Sequence, residues 1–182
     1  MSSREQQRED ARQARYEHEE ARAVLAAERA PERVIVLDPG ERVGWARMEI
    51  DREARAYTFL GWGVTPLKPM ALALYRQLPN YDTVVYETWR LRPKAARTLI
   101  GNDMLAPQFI GMVRLLAWVH DVQLVPREPK QKFPAIAAMP DSVSALMVES
   151  TEEHDKDAIQ LGFSYIMTLG GHQWTHLNPT ED

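Results

Sequence analysis

Apolar residues recur along this chain with two different periods, which predict two kinds of element. Runs of β-branched and aromatic residues that end at turn residues predict strands over 33–38, 43–50, 56–63, 82–87 and 121–126. Apolar residues at helical spacing predict helices over 68–78, 105–119 and about 141–169. The order βββαβαβα predicts an α/β fold whose mixed five-stranded sheet has three antiparallel strands, then parallel strands joined by helical crossovers.

Residues 1–31 have a different pattern. They are dense in Arg and Glu, rich in Ala, and contain no Gly or Pro before Pro31. Helix is favoured by propensity, but there is little apolar surface to bury, so we predict a charged helical or partly disordered arm. Coiled-coil association or packing on a partner subunit is the alternative. We place domain boundaries after residue 31 and after residue 172, which leaves 173–182 as a C-terminal tail.

The composition bounds the class of protein. With 182 residues, of which 45% are hydrophobic, the chain can form one well-packed domain and an appendage. It has no apolar run of the roughly 20 residues that span a bilayer, and its N-terminus lacks the apolar core of a signal peptide. We therefore expect a cytoplasmic protein without a membrane partner.

The absence of cysteine restricts the chemistry. It excludes disulfides, cysteine nucleophiles and cysteine-ligated zinc. Any metal site must then use carboxylate, histidine, carbonyl or water ligands, and oxygen ligands favour Mg²⁺ or Mn²⁺.

Two acidic residues stand at the ends of strongly apolar strands. Asp38 follows the run Val34–Leu37 and precedes Pro39 and Gly40, while Glu87 ends the run TVVYE. If these strands are parallel neighbours, the two carboxylates stand side by side and repel each other unless a cation lies between them. A divalent metal would resolve that conflict. Taken alone, Asp38 could equally be a residue that forms the turn.

The start of the last predicted helix adds a third group of candidates. His154 and Asp157 are three residues apart and share a helix face, so they can point together at one site. We expect Asp155 to point elsewhere, into solvent. The alternative is that acids here only offset the helix dipole.

Basic residues cluster in two stretches, although the formal net charge of −4 argues mildly against a nucleic-acid partner. The first cluster is Arg90, Arg92, Lys94 and Arg97, and the second is Arg127, Lys130 and Lys132. Either cluster could bind a phosphate backbone or simply be a solvated loop.

Together these motifs resemble those of the RuvC-like Holliday-junction resolvases of the ribonuclease H-like superfamily, and most closely its phage-encoded branch. The shared features are VIVLDPGERVGWA, then VVYE about fifty residues later, then HDKDA opening a C-terminal helix. They occur in the same order across residues 33–168. The resemblance implies a mixed five-stranded sheet flanked by helices, with residues 32–172 forming the nuclease domain.

The resemblance also implies an activity. Members of this family are homodimers that nick two strands of a four-way DNA junction symmetrically with Mg²⁺ or Mn²⁺. Asp38, Glu87 and Asp157 match the family's acids, and His154 lies where relatives carry His or Asp. These four residues would bind two metal ions, with Asp38 bridging them, and His154 would be a ligand or handle the proton of the attacking water.

Further roles follow from the same resemblance. Lys130 and Lys132 are candidates for contacting the scissile phosphate, and we assign Lys132 to the catalytic group. Trp89 would engage the junction, since relatives carry an aromatic residue close after the second acid, or it would be a core or loop-anchoring aromatic. The DNA backbone would be held by Arg90, Arg92, Lys94, Arg97 and Arg127.

Of three rival functions, the sequence leaves one open and weakens the other two. A nuclease of the same fold could act on forks, flaps or RNA, because fold does not fix the substrate. A non-catalytic junction-binding module would be expected to lack the acids, which are all present here. Actin-like kinases share an Asp-Gly strand motif but need two lobes, which this chain is too short to hold.

Overall fold

The structure is a computed structural model that describes residues 30–89, 104–170 and 173–179. The predicted N-terminal arm before residue 30, and the first basic cluster, lie outside the described residues. All described residues but Ala30 and Pro31 belong to one compact unit, Glu32–Asp182. None of its described helices is both long and apolar enough to cross a membrane.

Strands and helices follow the predicted order. The strands of the described residues are β1 Glu32–Asp38, β2 Arg42–Asp51, β3 Ala56–Pro66, β4 Thr83–Glu87, β5 Gln123–Arg127 and β6 Thr175–His176. The α-helices of the same ranges are α1 Leu67–Gln77, α2 Leu105–Val119, α3 Lys132–Ala137, α4 Asp141–Glu149 and α5 Glu153–Thr168. Short 3-10 turns cover Leu78–Asn80 and Pro129–Gln131.

The six described strands form one mixed sheet in the order β5-β4-β1-β2-β3-β6. β1, β2 and β3 are antiparallel neighbours, whereas β4 lies parallel to β1 and β5 lies parallel to β4. This arrangement confirms the predicted α/β fold of three antiparallel strands followed by parallel ones.

The sheet has one strand more than predicted. Thr175 and His176 pair in parallel with Ala56 and Tyr57 at the β3 edge. The sequence TH carries no apolar run from which a strand could be predicted. The imidazole of His176 instead lies against the rings of Tyr57 and Phe59, with centroids 5.3 Å and 6.0 Å away.

The C-terminal helical region also differs from its prediction. Instead of one helix over 141–169, α4 ends at Glu149 and α5 begins at Glu153. Ser150 leaves the helical conformation with ψ at 133°, and its hydroxyl donates to the carbonyl of Leu146. The backbone N–H of Ser150 donates to the same carbonyl as the chain leaves the helix. The one-and-a-half-turn helix α3 was not predicted either.

Alternation along the strands divides the core into two layers. On β1, Val34 and Val36 face α5, whereas Ile35 and Leu37 face α1 and α2. Because side chains alternate across a sheet, Asp38 continues the series of Val34 and Val36 and lies on the α5 side. α5 is the apolar cover of the sheet face that carries this acid.

Candidate active site

The two strand-end acids meet at the centre of the sheet. Leu37 of β1 pairs with Tyr86 of β4 in parallel register, so the following residues, Asp38 and Glu87, stand on adjacent strands at the same edge. Asp38 is 7% exposed, and Glu87 is half-buried. Both acids lie on the face that α5 covers, as the strand alternation requires.

α5 brings His154 directly onto Asp38. The Nδ1 atom of His154 lies 2.7 Å from Oδ2 of Asp38. An ionised carboxylate can only accept, so Nδ1 is the donor in this pair, and Nε2 is the ring nitrogen that Asp38 does not bind. The pair places an imidazole beside the innermost acid of the site.

Gly44 makes this approach possible. It pairs with Asp38 across the β1–β2 ladder, and a Cβ atom at this position would lie 1.9 Å from the carbonyl oxygen of His154. Only glycine allows the first turn of α5 to rest on the backbone of β2. The Gly-Trp-Ala part of the first sequence motif therefore has a steric reason.

Lys132 joins the remaining two acids. Its Nζ atom lies 2.7 Å from Oε2 of Glu87 and 2.9 Å from Oδ1 of Asp157, and the residue is 8% exposed. A lysine is buried this deeply only when its charge is paired. The site thus contains three carboxylates, one imidazole and one ammonium.

Burial dominates the electrostatics of the site. It raises the pKa of Asp38, and the hydrogen bond from His154 offsets only part of that rise, while the charge of Asp157 adds to it. Burial likewise raises the pKa of Glu87 against the lowering effect of Lys132. Burial alone would lower the pKa of Lys132, but its contacts with Glu87 and Asp157 outweigh that effect, so its pKa is raised. The acids are held in a state that favours an additional cation.

Comparison with known proteins bears on the fold. No protein-family model and no curated protein matches the sequence. Among solved structures, Thermus thermophilus RuvC is 18% identical over 76% of this chain and 97% of that chain, with a TM-score of 0.52. The fowlpox virus Holliday junction resolvase is 15% identical over 75% and 99%, with a TM-score of 0.54. The yeast mitochondrial Holliday junction resolvase is 14% identical over 78% and 81%, with a TM-score of 0.52. The fold is RuvC-like.

One expectation about this site was wrong. Asp155, which we expected to be solvated, is only 4% exposed. Its Oδ1 atom accepts the backbone N–H of Lys156 at 2.7 Å, as an acid in the first turn of a helix can do. Asp155 is a helix-terminal residue, and His154 is the one that reaches Asp38.

The predicted DNA-contacting residues fall into three groups. Lys130 has a 76% exposed side chain and lies 2.8 Å from Glu128. Arg127 is 7% exposed, donates to Thr168 and stacks on Tyr165, so its guanidinium packs inside the RuvC-like domain and does not face solvent. The other predicted cations lie outside the described residues: Arg90, Arg92, Lys94 and Arg97.

Trp89 borders a cavity on the α2 side of the sheet. It is 36% exposed and follows Glu87 by two residues. The cavity measures about 290 Å³ and is lined by Tyr86, Thr88, Trp89, Pro107, Ile110, Gly111 and Arg114. Sequence reasoning missed Arg114, although a lone cation on the otherwise apolar helix α2 is a signal that could have identified it.

The side chains of the site have the chemistry of metal ligands, but their arrangement does not enclose an ion. Asp38, Glu87, Asp157 and His154 have the oxygen and imidazole donors that Mg²⁺ and Mn²⁺ accept. Within the described ranges, however, no three His, Asp or Glu side chains are gathered closely enough to enclose an ion. The ammonium of Lys132 lies where two of the acids would otherwise share a cation.

Proposed function

We propose that this chain is a metal-dependent endonuclease that resolves four-way DNA junctions by paired, symmetric nicks. The observation that carries the proposal is the gathering of Asp38, Glu87, Asp157, His154 and Lys132 at one sheet edge of a RuvC-like fold. Three neighbours of similar fold bear the name RuvC or Holliday junction resolvase, and one structure of the Thermus thermophilus protein is a complex with a Holliday junction substrate.

The charge of the site supports a divalent metal. Three carboxylates against the single ammonium of Lys132 leave an excess of negative charge in a buried setting. Asp38, Glu87, Asp157 and His154 would hold two ions, Mg²⁺ or Mn²⁺. When bound, such ions would neutralise charge on the phosphate and lower the pKa of a bound water.

The chain's own residues would then position the reacting groups. His154, held by Asp38 through Nδ1, would use Nε2 either as a ligand to one ion or to accept a proton from the attacking water. Lys132 would offer an ammonium to the scissile phosphate, which is a task suited to a point charge. Asp38 and Glu87 would be held in place by the strand ends that carry them.

Binding to the DNA would rest on groups around the acids. Lys130 is exposed near Lys132, and Arg114 lines the cavity beside Trp89. Trp89 would stack on a base at the branch point, and Arg90, Arg92, Lys94 and Arg97 would contact backbone phosphates. Such contacts give affinity that falls steeply with salt concentration.

A homodimer would match the two-fold symmetry of a four-way junction. The exposed side of α2 offers an apolar patch of Leu115, Trp118 and Val119, which are 58%, 80% and 60% exposed. We define these residues as the α2 patch. An isologous pairing through it would bury large apolar side chains that a monomer leaves in water.

The decisive experiment is a cleavage panel beside Asp38→Asn. Labelled four-way junction, replication fork, flap, linear duplex and RNA–DNA hybrid are incubated with Mg²⁺ or Mn²⁺. We expect paired symmetric nicks in the junction alone, lost in the variant and in EDTA. Metal-dependent cutting of every branched substrate would replace the resolvase by a broader structure-selective nuclease. Junction binding without any cutting would favour a non-catalytic module.

A further inference from the structure

Lys132 occupies an unusual position for a DNA-contacting lysine. Its ammonium is buried between Glu87 and Asp157, at 2.7 Å and 2.9 Å, instead of projecting toward solvent. We propose that Lys132 is the resident cation of the metal-free site, and that a divalent ion must displace its ammonium from Glu87 and Asp157 in order to bind. The proposal rests on the proposed function of the site and adds a regulation of metal loading to it.

The first support is that the two cations need the same oxygens. The carboxylate oxygens that accept hydrogen bonds from an ammonium are the same atoms that would bind a metal ion. A divalent ion also repels a fixed positive charge at contact distance. In the present arrangement the described acids do not enclose a metal site, although the donors suit one. Moving one ammonium would release two of the carboxylates at once.

The second support is that Lys132 neutralises the carboxylate of Glu87, which would otherwise be an unpaired charge in a half-buried position. Glu87 is half-buried beside Asp38 and is reached by the charge of Asp157, so removing its partner would leave an unpaired charge in the interior. A cation is required in every state of the site, which makes an exchange of one cation for another favourable compared with an empty intermediate.

The third support is that few side chains of the helix that carries Lys132 are buried. α3 contains six residues, and only Lys132 and Ala135 of them are buried. Phe133 and Ile136 of the same helix are 70% and 39% exposed. Withdrawal of the lysine would therefore disturb few apolar contacts. The displaced ammonium would stay at the rim of the site, where a phosphate arrives.

Amine labelling of the wild-type protein tests the exchange directly. The protein is acetylated briefly in EDTA, and separately with Mn²⁺, and modification of each lysine is quantified by mass spectrometry. We expect Lys132 to be protected in EDTA and labelled several-fold more with Mn²⁺. Lys130 is the internal reference, because its side chain is 76% exposed and should react equally in both. Equal or weaker labelling of Lys132 with Mn²⁺ would overturn the proposal.

Calorimetric titration with Mn²⁺ tests the competition. Lys132→Met keeps the length of the side chain and removes the charge, whereas Lys130→Met removes a neighbouring surface charge that is also paired with a carboxylate. We expect Lys132→Met to bind Mn²⁺ about tenfold more tightly than the wild type, the effect of one lost charge-assisted contact. Lys130→Met should bind as the wild type does. Unchanged or weaker binding by Lys132→Met would contradict the competition, and if that variant does not fold, the labelling decides.

Cleavage of a four-way junction by the wild type separates the two proposals. Junction cleavage with Mn²⁺, together with unchanged labelling of Lys132, would overturn the exchange and leave the nuclease function standing. If the wild type neither binds Mn²⁺ nor cleaves the junction, both the nuclease function and the exchange are overturned.

Discussion

At Gly44, strand β2 and the first turn of α5 touch backbone to backbone. The position of the His154 imidazole beside Asp38 follows from this contact, because the carbonyl of His154 fills the space of a Cβ atom at Gly44. Gly44 has no reactive side chain, yet its lack of a Cβ atom allows His154 to reach Asp38.

Substitution of this glycine should therefore damage both fold and site. We expect Gly44→Ala to lower the free energy of unfolding by about 2 kcal/mol or more, as overpacking does, and to abolish cleavage. Gly111→Ala is the matched control, since nothing lies within 4 Å of its Cβ position and it is helical. That control should gain about 0.5–1 kcal/mol. Urea denaturation measures both, and equal effects would disprove the steric account.

The buried acid Asp38 should cost stability at neutral pH. Its pKa is raised from 3.8, first by burial, in surroundings that include Glu87, His154, Lys132 and Asp157. The folded state thus binds this proton more tightly than the unfolded state does. The stability that the group contributes is complete below its ordinary pKa and is lost as pH rises through the folded pKa.

The amide that Asp38→Asn introduces is neutral at every pH, so the advantage of this variant should grow as pH rises. We expect the variant to be more stable than the wild type by about 1 kcal/mol at pH 7, the order for one buried, partly compensated charge, and equally stable near pH 4. Thermal unfolding in EDTA across this range measures the difference. A difference that does not change with pH would contradict the assigned cause.

Among the residues of the site, the sequence predicts the positions of Asp38 and Glu87 better than the burial of Lys132. Asp38 and Glu87 were predictable because strand ends and alternation are local properties, and two such ends meet in a parallel pair. The burial of Lys132 and Asp155 was not predictable, because it depends on α3 and α5 packing over the sheet from distant parts of the chain.

Among the elements, α5 links the two ends of β1. Its first turn holds His154 against Asp38, and its last turns hold Tyr165 against Glu32. The Tyr165 hydroxyl donates to Oε1 of Glu32 at 3.0 Å, and Arg52 binds the other carboxylate oxygen at 2.6 Å. Glu32 and Asp38 are about 20 Å apart along the strand, at about 3.3 Å per residue. The first turn of α5 is therefore held by a residue of the candidate site, Asp38, whereas its last turns are held by Glu32, which lies outside that site.

A variant in the last turns of α5 should separate stability from activity. We expect Tyr165→Phe to lose about 1 kcal/mol of unfolding free energy, the usual net value of one hydrogen bond, with junction cleavage unchanged. Guanidinium denaturation and the cleavage assay measure the two properties. A loss of cleavage larger than the loss of folded protein would show that the two ends of α5 are coupled.

Element boundaries were the part of the fold that the pattern predicted least well. The periodicity of 141–169 is helical throughout, yet α4 ends at Glu149, and the spacing of apolar residues does not mark this end. β6 and α3 are too short to show a period at all. Long helices and strands were predicted because the residues on their buried face are apolar and recur at the period of the element.

For the molecule as a whole, the α2 patch defined above should decide the oligomeric state. We expect Trp118→Ser to weaken self-association by about 30-fold or more, the loss typical of one large interface residue. The Tm measured at concentrations where both proteins are monomeric should not fall, since the side chain is 80% exposed in the single chain. Val148→Ser is the matched control, because Val148 is 86% exposed on α4, outside the patch. Sedimentation velocity measures both, and a wild type that is monomeric at all concentrations would reject the patch as an interface.

The cover that α5 provides has a consequence for how the protein is made. Most of the cover on one face of the sheet, together with Asp157 and His154, comes from this helix, which follows β1 to β5 in the chain. A ribosome-bound chain that has not yet released α5 therefore has bare apolar strands and an incomplete set of acids. Completion of the core and completion of the site are the same event, so a fully covered sheet without its acid cluster cannot accumulate during synthesis.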